Sequence, residues 1–431
     1  MIEKIIEICA KNRFLVFTVV LLLMLGGVYA IKNIPLDAIP DISDVQVIVY
    51  TSWEGRSPDL VEDQVTYPIV SALISVPKVK TVRGFSDFGF SYVYAIFEDG
   101  TDIYWARSRV LEYMQQISGR LPDGVSPVLG PDATGVGWVY TYALVDESGK
   151  HDLANLRTLQ DWYLRYALAS VEGVSEVASV GGFVKQYQIN IDPNRMSAYG
   201  ISIREIIDRV RMSNNDVEGR LLEFGGREYM VRGRGYIKSV EDIQKIAVGN
   251  RRGTPILLRD VAHVVLGPEI RRGIVELDGK GEVVGGIVVM RFGENALKVI
   301  ERVKAKIVEV SPGLPDGVKI IPTYDRSELI RLSIKTLQET LLMEIIIVSL
   351  VIIIFLFHFQ SAFVPIFALP IAVAVSFIPM YLLKITSNIM SLGGIALSIG
   401  VVVDASIVMV ENGYRHLSEG TDEDRKNHRA T

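Results

Sequence analysis

The chain has 431 residues, 49% of them hydrophobic, and a formal net charge of −5, which excludes a compact basic nucleic-acid binder. Its single cysteine, Cys9, excludes internal disulfides in the middle of the chain and metal capture by paired thiolates. Apolar residues crowd into positions 14–31 and again beyond 341, so the two ends read as membrane and the middle as water-soluble.

Residues 14–31 form an uncharged run that, at about 1.5 Å per residue, just crosses a bilayer core. The run is long for the apolar part of a signal peptide. The residues after it, Lys32-Asn33-Ile34-Pro35, form no small-x-small cleavage site, so an uncleaved helix is expected. Next come an alternating strand at 45–50, an amphipathic helix at 58–73, strands at 80–84 and 92–97, a helix at 102–118 and a short strand around Val128. That order, βαββαβ, predicts a ferredoxin-like split fold over 33–135.

A second copy starts with a strand at 138–145, a helix at 153–170 and a strand at 174–179, within 136–181. Its other half returns much later, as 283–290, 296–310 and 318–323 within 273–338, which leaves 182–272 as an inserted domain. Gly130-Pro131-Asp132, Gly181-Gly182 and Ser311-Pro312-Gly313 punctuate these units as tight turns require. The block contains no P-loop, no GxSxG elbow and no HExxH pair, so nothing in it points to hydrolytic chemistry.

Three further spans are expected at 341–359, 363–383 and 389–410, making four with the first and an α+β membrane protein overall. Lys4, Lys11 and Arg13 precede the first span, and Arg415, Lys426 and Arg429 follow the last, which places both ends in the cytoplasm. Residues 358–362 then form a tight cytoplasmic turn. The long block between the first two spans faces the opposite compartment, the periplasm of a Gram-negative cell.

The most informative stretch is Asn388-Ile389-Met390-Ser391-Leu392-Gly393-Gly394, followed by 400–412 with Asp404 and Glu411. Asp404 sits about 6 Å from the middle of an apolar helix, too deep to reach the surface comfortably. A charged aspartate there costs about 2.5–3.5 kcal/mol, so it should face protein or water and either find a cation or take up a proton. That makes it a proton-relay candidate. Glu411, two turns on, shares nearly the same face close to the cytoplasmic surface, where it can hand protons to Asp404 or act as an ordinary interfacial acid. Gly393, Gly394, Ala396, Ser398 and Gly400 suit close packing against another helix.

The five histidines, at 151, 263, 358, 416 and 428, show no i, i+3 or i, i+4 pair. Soft monovalent copper or silver would favour thioether sulfur, and Met390 and Met409 bracket the last span near its two ends, although most methionines on apolar helices simply fill space.

Several long stretches carry a resemblance. They are Pro35-Leu36-Asp37-Ala38-Ile39-Pro40-Asp41-Ile42-Ser43-Asp44-Val45-Gln46-Val47, Gly100-Thr101-Asp102-Ile103-Tyr104-Trp105-Ala106-Arg107-Ser108-Arg109-Val110-Leu111-Glu112-Tyr113, and Gly130-Pro131-Asp132-Ala133-Thr134-Gly135-Val136-Gly137-Trp138. On them the chain resembles the heavy-metal efflux branch of the resistance-nodulation-division pumps, and within it the copper and silver exporters. The resemblance implies two porter subdomains, a docking subdomain at 182–272, a homotrimer, a periplasmic membrane-fusion adaptor, an outer-membrane channel and a proton gradient as the driving force, with no cofactor.

It also implies that Asp404 is the proton-relay acid. Drug-exporting relatives carry adjacent aspartates where this chain has Val403-Asp404, and divalent-cation exporters carry Asp-Phe-Gly where it has Ser398-Ile399-Gly400. Both departures point to monovalent metals. Against that, Val402 and Ile270 occupy positions where the copper and silver exporters carry relay methionines. Such pumps have twelve spans and an equivalent second half, so a chain stopping at Thr431 is expected to be their N-terminal part. Divalent-metal or organic-compound efflux by the same fold is the nearest alternative. A membrane sensor with a periplasmic ligand domain is the alternative of another class, and it would need an output module.

Overall fold

The computed structural model describes residues 8–9, 11–271, 273–356 and 359–419. Strand β1 (Gln46–Ser52) alternates strictly between buried and half-buried positions, so one face of its sheet is covered. The cover is two helices. Helix α2 runs through Pro58–Val61, a π-turn Glu62–Thr66 and Tyr67–Leu73; helix α3 is Ile103–Ile117. In α3, Asp102 caps the N-terminus by accepting from the Trp105 N–H at 2.7 Å, and Ile103, Ala106, Val110, Met114 and Ile117 recur on the buried face. With β2 (Val79–Asp87), β3 (Phe90–Phe97) and β4 (Val128–Leu129), the sheet order is β2-β3-β1-β4.

A second unit repeats this plan. Strand β5 (Trp138–Asp146) leads into helix α4, again interrupted by a π-turn: Leu153–Leu159, Gln160–Leu164, Arg165–Ala169. Strand β6 (Val174–Val180) follows. The sheet is completed by β13 (Val284–Met290), helix α9 (Ala296–Val310) and β14 (Val318–Asp325), in the order β14-β5-β13-β6. Strands β6 and β13 are neighbours in this sheet although residues 181–283 lie between them.

Each π-turn aims one polar side chain at its sheet. Thr66 bonds the hydroxyls of Ser86 and Ser91 at 2.8 Å each, and Gln160 accepts from the Tyr142 hydroxyl at 2.9 Å. A π-turn inserts one extra residue into the helix, and in both units a polar residue of that turn meets the sheet.

The intervening stretch has its own core around Ile206, Ile243, Leu258 and Val261. In chain order it holds β7 (Lys185–Ile191), α5 (Pro193–Tyr199), α6 (Ile203–Ser213), the hairpin β8 (Val217–Phe224) and β9 (Arg227–Gly233), α7 (Val240–Gln244), β10 (Ala247–Arg251), β11 (Thr254–Leu257), α8 (Leu258–Val261) and β12 (Ala262–Pro268). Strands β7 and β12 pair antiparallel from Ala262–Ile191 to Pro268–Lys185 and so close the stretch back on itself. Every residue of the β8–β9 hairpin is exposed.

The apolar helices are α1 (Arg13–Asn33), α10 (Arg326–Leu356), α11 (Phe359–Leu382) and α12 (Ile389–Glu419). Among the described residues, three of them, α1, α10 and α12, are long and apolar enough to cross a membrane; the apolar stretch of α11 is the shorter Ile366–Leu382. Two boundaries differ from expectation. Helix α10 starts at Arg326, directly after β14, rather than near 341, because the polar turns at 326–340 remain helical and Asp325 caps them by accepting from the Ser327 N–H and hydroxyl at 2.9 and 2.7 Å. Helix α11 is already helical at Phe359, where a turn over 358–362 was expected, while His358 lies outside the described residues. Helix α1 reaches α11 closely at Gly27, where a Cβ would stand 2.4 Å from the Ala374 carbonyl oxygen.

Candidate functional site

Helix α12 starts on a buried polar cap. The Asn388 N–H donates to the Ser391 hydroxyl at 2.9 Å, the Ser391 N–H returns a bond to the Asn388 side-chain oxygen at 3.0 Å, and the Asn388 amide donates to the Thr386 hydroxyl at 2.9 Å. Asn388→Ala should cost about 0.5–2 kcal/mol, because the cap is lost and buried groups are left without partners. A melting curve of the purified protein checks this, with Asn388→Ser losing less; an unchanged melting temperature would contradict the capping role.

From this cap, Leu392, Ile395, Ile399 and Val403 recur at helical spacing on the packed face of α12. Leu392 and Ile395 meet Ala30, Ile34 and Phe377, while Ile399 and Val403 meet Ile352 and Leu369. Asp404 follows Val403 and is therefore turned about 100° away from that seam. The apolar stretch Ile389–Gly413 has Val401 at its middle, so Asp404 lies about 4.5 Å from the midpoint.

Asp404 thus lies near the middle of the apolar stretch with no described residue covering it. Asp404 is exposed, as are Glu411 and Gly400 on the same side, and Leu397 and Val401 beside them are 82% and 71% exposed. A Cβ on Gly393, Gly394 or Gly400 would meet nothing within 4 Å, so the close packing expected of these glycines is not made by any described residue. Gly393, Gly400, Asp404 and Glu411 fall along one stripe, with intervals of seven, four and seven residues. Among the described residues neither acid has a hydrogen bond or an ion pair.

Met390 and Met409 do not come together. They are 19 residues apart, which is about 28 Å along the axis and about 100° around it. Met390 is 72% exposed, while Met409 borders a shallow groove with Val364, Val402 and Ala405. Among the described residues no cluster of three His, Cys, Asp or Glu side chains is placed to hold a metal ion.

The model of the AcrB/AcrD/AcrF family matches residues 5–431. Over 420 residues, 97% of this chain and 40% of the relative, the chain is 54% identical to the cation efflux system protein CusA of Escherichia coli strain K12. It is 53% identical over the same extent to the SilA protein of Salmonella typhimurium. A crystal structure of a heavy metal efflux pump superposes with a TM-score of 0.85 at 34% identity, covering 96% of this chain and 42% of that one. The chain thus spans about 40% of the length of the curated relatives it matches.

Proposed function

Because this chain belongs to the AcrB/AcrD/AcrF family of resistance-nodulation-division transporters, in its heavy-metal efflux branch, we propose that it serves proton-driven export of monovalent copper or silver. The observation that carries the proposal is Asp404, an acid at the middle of an apolar helix, on the one stripe of small residues that the described residues leave bare. A charge held there must be neutralised by a partner cation or by a proton, and alternation between the two makes it a relay. Glu411 shares the stripe and passes protons between Asp404 and the cytoplasmic side.

In this reading the four apolar helices span the inner membrane with the N-terminus in the cytoplasm. The two repeated α/β units act as porter subdomains in the periplasm, and the stretch between β6 and β13 as the docking subdomain. The working pump is a homotrimer joined to a periplasmic adaptor and an outer-membrane channel. Alternating porter conformations move the metal outward as Asp404 gains and loses its proton. Met390 and Met409 enter only as separate thioether contacts for a soft ion, since they share no face. Monovalent cargo is favoured by Val403 beside Asp404 and by Ser398-Ile399-Gly400, which lack the extra acids of the drug and divalent-metal branches.

The test is metal tolerance of an exporter-deleted bacterium expressing the intact pump, across copper, silver, zinc and cobalt salts. Protection against copper and silver alone is expected. Protection against zinc or cobalt would replace the cargo, and protection against none would remove the function.

A further inference from the structure

Three stretches far apart in the chain meet where the apolar helices end and the α/β units begin: 35–43, 130–137 and 386–391. The first is tied to the start of α12 through the main chain. The Asp37 N–H donates to the Ser387 carbonyl at 3.1 Å, the Ser387 N–H to the Pro35 carbonyl at 2.9 Å, and the Ile389 N–H to the Ala38 carbonyl at 3.2 Å. Residues 35–38 are thus held to Ser387 and to Ile389, the first residue of α12.

From that loop a charge contact runs to α10. Asp37 Oδ1 lies 2.8 Å from Nη2 of Arg326, the first residue of α10, and Arg326 is only 3% exposed. The same guanidinium donates through Nη1 to the Val136 carbonyl. Val136 belongs to the connection between the two α/β units, which is fastened again by the Thr134 hydroxyl donating to Asp41 at 2.6 Å. Farther along, Asp132 grips both units. It accepts from the Tyr104 hydroxyl of α3 at 3.1 Å and from the Ser175 hydroxyl of β6, and its carbonyl accepts from the Phe292 N–H at 2.9 Å. Burial raises the Asp132 carboxyl, but the hydrogen bonds from Ser175 and Tyr104 outweigh it and hold the group below its ordinary value, so it stays ionised.

Arg326 thus touches both the loop tied to the start of α12 and the connection between the units, beside the direct Thr134–Asp41 hydrogen bond. A buried ion pair is weak as a stabilising device, since apolar residues of similar volume do as well or better. What the planar, permanently charged guanidinium adds is one hydrogen bond, to the Val136 carbonyl, together with a charge contact to Asp37. We propose that the Asp37–Arg326 pair is a positioning contact that transmits the protonation state of Asp404, through α12, to the connection at 130–137 and so to the relative placement of the two α/β units. This proposal rests on the reading of Asp404 as the proton site.

The test uses the intact pump in liposomes with Cys9→Ser and spin labels at Gln116→Cys and Thr158→Cys, exposed positions on α3 and α4. Asp404→Asn, a fixed neutral form, should shift the label-to-label distance distribution. Stripping one member of a buried pair is destabilising, so the pair is removed whole as Asp37→Asn with Arg326→Met, and size-exclusion chromatography confirms equal folded protein. In that background the shift caused by Asp404→Asn should be lost, and metal export should fall about 2- to 30-fold, the range seen for changes along a coupling route. Asp37→Glu, which keeps the charge, should retain the shift. If the double variant shows the full shift, the transmission role is overturned while the proton-site reading stands. If Asp404→Asn neither shifts the distance nor lowers export in the parent, the proton-site reading itself has failed.

Discussion

Replacing Asp404 with asparagine in the intact pump is expected to reduce metal export to the level of cells lacking the pump, with unchanged abundance in the membrane. Asparagine is nearly isosteric with aspartate and neutral. It relieves the cost of about 2.5–3.5 kcal/mol that a charged aspartate carries at this depth, so insertion of α12 should not suffer. What it cannot do is bind and release a proton. The packed seam of Leu392, Ile395, Ile399 and Val403 lies on another face and should be untouched. Immunoblotting of membranes alongside metal tolerance separates these effects. A variant as tolerant as the parent would remove Asp404 from the relay.

The largest structural effect is expected from Gly286→Ala, in the middle of β13. A Cβ there would stand 2.2 Å from the Tyr142 ring carbon Cζ and 2.4 Å from its hydroxyl oxygen. Tyr142 has nowhere to go. It is 1% exposed, and its hydroxyl donates to Gln160 at the π-turn of α4. Burial pushes that hydroxyl far above its ordinary range, so it remains a neutral donor. Overpacking of a filled core costs about 1–3 kcal/mol, and driving out an aromatic ring about 3–5 kcal/mol, so a loss at or above the upper end of the first range is expected. Differential scanning fluorimetry measures it. Tyr142→Leu in the same molecule should restore part of the loss, and wild-type melting of Gly286→Ala alone would show that the ring is not confined as described.

Much of the element order was legible because periodicity and turn chemistry agreed. The helix expected at 296–310 is α9 to the residue, since Ala296, Val299, Ile300 and Val303 mark a buried stripe and Asn295 caps it. The return of the second sheet after a long excursion was visible in the apolar run ending at Met290, which pairs with β5 and β6. Other features were hidden. The β8–β9 hairpin buries nothing, so hydrophobic alternation had nothing to report, although Gly225-Gly226, with φ of 61° and 73°, was the turn signal to notice. Neither π-turn could be read, because helical periodicity continues on both sides of the inserted residue.

At the candidate site, sequence showed the depth of Asp404, because depth follows from counting residues along an apolar helix. It could not show which side chains cover the acid, and the described residues leave it bare. Nor could it show that Met390 and Met409 look in different directions, since two thioethers on one helix share a face only at particular spacings. The meeting of 35–43, 130–137 and 386–391 was beyond sequence reading altogether. Those stretches stood out one at a time, and only the fold reveals that main-chain hydrogen bonds join the first to the third and that Arg326 touches the first and the second.

The central claim is that metal leaves in exchange for protons, and the most direct measurement is proton flux in liposomes holding the intact pump and a pH-sensitive dye. Adding silver or reduced copper should start proton movement that zinc and cobalt do not elicit and that Asp404→Asn abolishes. Metal movement with no accompanying proton flux, or flux unaffected by Asp404→Asn, would contradict it.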